Sequence, residues 1–314
     1  MRRRRSSASR DVTDRGSVAV IVAAAFVPLT MAMAVVADGG RVWMEKQKLQ
    51  NDVEASALAV AQSSALGGTT CAPSALSLVP SGATCSTTTT ANGSVATVVA
   101  SDDVNLHFAQ LFGRDSAGIA ASASVRIGPT SKITGLRPTA MCVANEALRA
   151  WLDSGKSSTT TYTIGIDAES DECGTEVPGN WGILDFDGGA NSMSDAQSWI
   201  VNGYPGSVSV AESYDGDPGI PSPALNLDEV VGQSVVLPVF ANPRLEGANA
   251  TYDVVGFVKV RIVEVNLTGA ASNRNVKVVF EQGTVKGAPG DVAVEDFGVS
   301  SWAVCSFDGR GVCS

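Results

Sequence analysis

From Ser17 to Ala37 the chain reads SVAVIVAAAFVPLTMAMAVVA, with no charged residue. As a helix this stretch extends about 31 Å, the thickness of a bilayer's hydrocarbon core. Pro28 and Thr30 are tolerable there, because a Thr hydroxyl can serve a carbonyl that Pro leaves free. Beyond Asp38 the pattern changes period. Arg41 to Gln62 contains neither Pro nor Gly, and Val42, Leu49, Val53, Ala57 and Val60 fall on one helical face. Glu45, Lys46, Lys48 and Asp52 lie largely off that face. Gly67-Gly68 supplies a stop, and Gly39-Gly40 allows a bend between the two runs. The apolar stripe leaves two arrangements open. The helix either packs on its own domain or forms a stalk that bundles with neighbouring copies, an oligomer through the membrane-proximal helix.

Past residue 66 the periodicity turns to that of strands. Residues 67–92 are rich in Ser, Thr, Ala and Gly, with a Thr87–Thr90 run, and read as loop. Ser94–Ala100 is a strand candidate, and Ile119–Ile127 alternates and can pair with it. Asn105–Gly113 reads as a short helix ended by Gly. Gly, Pro and Ser between Gly128 and Pro138 mark a boundary, after which strands dominate. These are Tyr162–Ile166, Gly182–Phe186, Ser207–Val210, Ser234–Phe240, Tyr252–Asn266 and Val276–Gln282, the last two flanking a turn as a long hairpin. Asp195–Asn202 stands out as a helix, with Ser194 and Gln197 spaced as a capping box and Gly203 at its end. The expected fold is α+β: an N-terminal transmembrane helix continuing into a long helix, then a β-rich extracytoplasmic region. The expected division is a cytoplasmic basic head (1–16), a transmembrane helix (17–38), an extracytoplasmic helix (39–66), a small α+β region (67–135) and a β-rich domain (136–314).

Charge sets the orientation. The net charge is -10, yet residues 1–16 carry Arg2, Arg3, Arg4, Arg5, Arg10 and Arg15 against only Asp11 and Asp14. A basic head before the apolar run and an acidic body after it predict the N-terminus in the cytoplasm and the bulk outside. The acidic body also argues against nucleic acid as a partner. A cleaved signal peptide is the rival reading, with small residues ending at Ala37, but the apolar run exceeds the usual 7–15 residue core. Cys71, Cys85, Cys142, Cys173, Cys305 and Cys313 all follow the run. An even number in an exported body predicts disulfides. Nearest-neighbour pairing gives Cys71–Cys85, Cys142–Cys173 and Cys305–Cys313, although sequence alone leaves all fifteen pairings open. The loop closed by the first pair is worth about 3 kcal/mol in the chain-entropy model.

The chain offers little catalytic chemistry. His107 is the sole histidine and sits in an apolar FAQLF context, so no Ser-His-Asp or Cys-His set completes around it. There is no GxxxxGK[ST] loop and no CxxC. Asp185-Phe186-Asp187-Gly188-Gly189 and Asp215-Gly216-Asp217 resemble fragments of calcium loops, but both lack the full ligand ladder and read as turns. Asp171 and Glu172 read as solvated loop. Trp181, Phe186, Trp199 and Tyr204 cluster in sequence and form either core or the lining of a groove. The expectation is a non-enzyme with no cofactor and no metal site.

Arg15-Gly16 before the apolar run, Asp38-Gly39-Gly40-Arg41 after it, Leu49–Asp52 and the Ala-rich Ala55–Ala61 together resemble the N-terminal region of TadE/TadG-like Flp (tight adherence) pilus-assembly proteins. Ala109–Gly113 with Ala120–Ala123, and Pro178–Gly182 with Asp185, resemble envelope proteins of this group more loosely. The resemblance implies a pilin-like structural or assembly component of the bacterial cytoplasmic membrane. Its implied partners are the lipid bilayer and other pilus-assembly proteins. Two departures matter. Relatives cut by prepilin peptidase carry Glu at the fifth position after the Gly, where this chain has Ile21, which argues against processing after Gly16. Some relatives end in a von Willebrand A domain with a DxSxS motif, and Asn191-Ser192-Met193-Ser194 is not one. The alternative function is an exported surface-binding module released by signal peptidase after Ala37.

Overall fold

The computed structural model of the protein describes residues 11–68, 71–90, 92–165, 180–188, 193–218, 227–244, 250–270, 273–290 and 294–305. Cys173, Cys313, Asp171, Glu172, Asn191, Ser192 and most of the basic head lie outside them.

The apolar run and the amphipathic run form one helix, α1, Asp11–Ala65. Its 55 residues extend roughly 80 Å, far more than a bilayer needs. The helix continues through Gly39 and Gly40 without interruption. Thr30 Oγ1 bonds the carbonyls of Phe26 and Val27, at 3.0 and 2.9 Å. It therefore does not serve the carbonyl that Pro28 frees, which by helix register belongs to Ala24.

β1 (Thr84–Thr90), β2 (Gly93–Asn105) and β3 (Ser116–Thr134) are antiparallel neighbours in that order. The Thr87–Thr90 run, expected as loop, is therefore strand. Thr is β-branched, and its stiff χ1 suits a pleated ladder even where the segment is polar. β2 and β3 place small residues on one face: Ala96, Val98 and Ala100 from β2, Ala121, Ala123 and Val125 from β3. That flat face admits α1 closely. Leu49, Val53, Ala57, Val60 and Ala61 are all at or below 4% exposure and pack with those strand residues in one cluster. Gln50 adds a bond from Nε2 to the Ser122 carbonyl of β3, at 3.2 Å. The stripe is thus covered by the protein's own sheet.

β3 does not stop at Gly128 but runs to Thr134. The elements after it are β4 (Met141–Cys142), α2 (Glu146–Asp153), β5 (Tyr162–Gly165), β6 (Asn180–Asp185), α3 (Met193–Asn202), β7 (Ser207–Ser209) and β8 (Ser213–Pro218). Then come β9 (Ser234–Arg244), β10 (Thr251–Asn266), β11 (Asn275–Glu281), β12 (Gly283–Thr284), β13 (Gly287–Pro289) and β14 (Val299–Val304). The first sheet has the order β1-β2-β3-β14-β12, with β7 and β13 pairing the far end of β3. The second has the order β4-β9-β10-β11-β5, with β8 on β10 and β6 on β8. β10 and β11 form the expected hairpin, in register from Lys259/Glu281 to Asn266/Asn275 with a bulge near Ile262. Its core takes Val258, Val260, Val278 and Phe280 with Leu148 and Trp151 of α2, and Trp151 stacks on Phe280 at 5.3 Å. Helix α2, unforeseen, is capped by Asn145, whose side chain accepts from Leu148 N–H at 3.2 Å. In α3 the helix begins at Met193, so Ser194 stands inside its first turn rather than before it.

Candidate functional site

The place where α1 leaves its apolar run is also where the body grips it. Counting by 3.6 residues per turn, Asp38 lies on the same face as Val42, Leu49 and Val53, one step ahead of the buried stripe. Asp38 is buried, at 8% exposure. It accepts the main-chain N–H of His107 at 3.0 Å, of Phe108 at 3.0 Å and of Ala109 at 2.8 Å. The Phe108 and Ala109 groups are orphan donors at the start of a 3₁₀ turn, Ala109–Phe112, whose preceding residue Phe108 offers no side-chain cap; His107 comes just before it. Asp38 thus caps that turn from about 70 residues away in the chain. Arg41 adds a second tie, its guanidinium donating to His107 Nε2. The turn ends at Gly113, whose φ of 79° suits Gly and lets the chain reverse into β3. Leu111, at 81% exposed, and Phe108, at 46%, project from this loop.

The segment that carries Asp38 and Arg41 has a known relation. Residues 16–63 match the Tad family, described as "Putative Flp pilus-assembly TadE/G-like". This Tad segment coincides with the apolar run plus the part of α1 that packs on the sheet, and it supports a role related to Flp-pilus assembly. No curated protein matches the chain. No solved structure matches it either. Among the described residues one helix, which the Tad segment largely spans, is long and apolar enough to cross a membrane; its most apolar stretch has a mean hydropathy of 2.5 and is not covered by the other described residues. It supports single-pass anchoring.

Asp38 and His107 were legible only in part. Asp38 reads in sequence as the charge that ends the apolar run, and His107 as an isolated ring. The available signal was Asp38's place on the apolar stripe, which points a carboxylate at whatever covers that stripe. The residues considered for processing sit on α1: Ala37 immediately before Asp38, and Gly16 in its first turns.

Among the cysteines, Cys71 and Cys85 are bonded, with Cα atoms 5.8 Å apart. The bridge fastens the segment following α1 to β1. Cys142 and Cys305 are also disulfide-bonded. Phe186 is buried and packs on Trp199, Tyr204 and Tyr214 at centroid distances of 5.9, 5.2 and 5.5 Å. Trp199 and Tyr204 are half-buried and border a shallow groove of ≈ 380 Å³ with Thr134, Gly135 and Asn202. The side chain of Trp181 lies outside the described residues. Asp185 is buried and accepts the N–H of Asp187 and of Gly188, at 3.1 and 3.2 Å, the turn expected there. Burial, with the Asp187 carboxylate beside it, pushes the Asp185 carboxyl above its ordinary range. Asp215 and Gly216 belong instead to strand β8. Among the described residues no three His, Cys, Asp or Glu side chains converge as metal ligands.

Proposed function

We propose that the protein is a structural or assembly component of a Flp/Tad-type pilus, anchored in the bacterial cytoplasmic membrane by Ser17–Ala37. It acts by protein–protein contacts and not by catalysis, with α1 in the role of a pilin-like helix. The observation that carries this reading is the unbroken α1. The Tad segment joins a membrane-length apolar run to a packed sheet with no linker between them, so force or position at the membrane passes directly to the body. The arginines before the run favour a cytoplasmic N-terminus, and the oxidised cysteines favour a body outside the cytoplasm. Because the Leu49–Val60 stripe is occupied, contacts with other pilus components or further copies use other surfaces. Deletion of the gene is expected to impair pilus display and adherence, restored by the wild-type chain in trans. Normal piliation of the deletion strain would refute the proposal.

A further inference from the structure

We infer that the loop Leu106–Gly113 is a second membrane contact, with Phe108 and Leu111 seated in the bilayer interface beside the exit of α1. The inference rests on the reading that Ser17–Ala37 spans the bilayer.

Depth puts the loop at the interface. Asp38 follows the last residue of the uncharged run, and its carboxylate holds three consecutive N–H groups of the loop within 3.0 Å. The loop is therefore level with the end of the span. The polar layer on each side of a bilayer's hydrocarbon core is about 5–8 Å thick, so a loop at that level meets lipid headgroups.

Exposure points the same way. Leu111 is the most exposed large apolar side chain of the described residues, and Phe108 is its neighbour on the same turn. A 3₁₀ turn capped by a distant carboxylate and closed by a positive-φ glycine is a built feature that presents these two side chains outward. On the opposite side of α1, Trp43 and Met44 lie about 8–9 Å beyond Asp38 along the axis and are 64% and 61% exposed. Apolar and aromatic groups thus surround the exit, as expected of side chains at a membrane–water interface.

Continuity selects lipid over a protein partner. The apolar run is exposed on all sides, from Val18 at 57% to Val36 at 74%. Whatever surrounds Val36 reaches the loop held by Asp38 two residues later. A lateral apolar foot also resists tilting and sinking, because either would move Phe108 and Leu111 out of the interface, so it keeps the body at one height and tilt.

The test uses the full chain in vesicles of phosphatidylcholine and phosphatidylglycerol. An environment-sensitive dye is placed on Leu111→Cys, Phe26→Cys or Leu78→Cys under non-reducing conditions, with the unsubstituted chain as blank. Leu78 is 57% exposed and follows the distal end of α1, an end that lies about 40 Å from Asp38 along the helix. The expected result is quenching of the Leu111 dye by shallow spin-labelled lipid, with at least about threefold weaker iodide quenching than at Leu78. Iodide quenching at Leu111 equal to that at Leu78, with the Phe26 dye shielded, would overturn the inference and leave the span intact. Iodide access at both Phe26 and Leu111 would overturn the span reading and the inference with it.

Discussion

Leu49→Ala, compared with Met44→Ala, asks whether α1 belongs to the body or stands away from it. The two residues are five positions apart on one helix, yet Leu49 is 4% exposed against β2 and β3 and Met44 is 61% exposed. Removing a buried Leu side chain costs the transfer energy of its lost carbons plus that of the remaining void, about 2–5 kcal/mol. The lower part of that range applies here, because the alanines facing α1 form a shallow surface that relaxes easily. Ala is also the better helix former, which returns a few tenths of a kcal/mol in both variants. The net expectation is a loss of about 2–3 kcal/mol for Leu49→Ala and a change within about 0.5 kcal/mol for Met44→Ala. For a body of this size, 1 kcal/mol corresponds to roughly 2–4 °C in Tm, so Leu49→Ala falls by roughly 4–12 °C. The assay is thermal unfolding of the full chain in detergent micelles, followed by intrinsic tryptophan fluorescence. Equal Tm values for Leu49→Ala and Met44→Ala would show that the stripe is not buried and that α1 is a free stalk.

Ser56 is fully buried on the same face, and its hydroxyl has no hydrogen-bond partner among the described residues. Ser56→Ala therefore removes an unsatisfied polar group and gains helix propensity, raising stability by about 1 kcal/mol in the same assay. Cys71→Ser reopens the loop to Cys85, of sequence separation 14, and is expected to lower stability by about 3 kcal/mol, read as a shift in the denaturation midpoint. The pH profile should show an acid limb from the β-rich part. The Ser213 hydroxyl and Arg244 hold the Asp253 carboxyl below its ordinary value against the pull of burial. Burial likewise raises Glu281, but Ser234, Arg261 and Lys259 together hold it below its ordinary value. A depressed folded-state pKa contributes stability that is fully present above the unfolded value near 4 and is lost as pH falls through the folded value. Melting curves at falling pH should show that loss, and Asp253→Asn should flatten part of it.

The sequence showed most where one period ran long enough to be unambiguous. Val42, Leu49, Val53, Ala57 and Val60 define a face from spacing alone, and the structure buries the last four. Alternation in Ile119–Ile127 likewise located β3, and Tyr252–Asn266 with Val276–Gln282 located the hairpin. The failures have physical causes. β1 is a polar Thr run whose strand character comes from pairing with β2, not from hydrophobicity. Asp215-Gly216 carries turn chemistry, but ladders with β6 and Thr251 override it. Helix α2 did leave a signal, Asn145 as cap and Leu148 with Trp151 at a three-residue step, in a segment too short for periodicity to stand out. The Asp38 clamp was beyond local reading altogether, since a carboxylate bonding main-chain N–H groups some 70 residues away imposes no pattern on the sequence between.

On the proposed function, one uncut helix anchors the body in the membrane. The most direct test of this is the intact mass of the native protein recovered from alkaline-washed membranes. The protein is expected to stay in the membrane pellet with α1 uncut. A soluble product beginning at Asp38 would contradict it, because the body would then be a released module with no anchor.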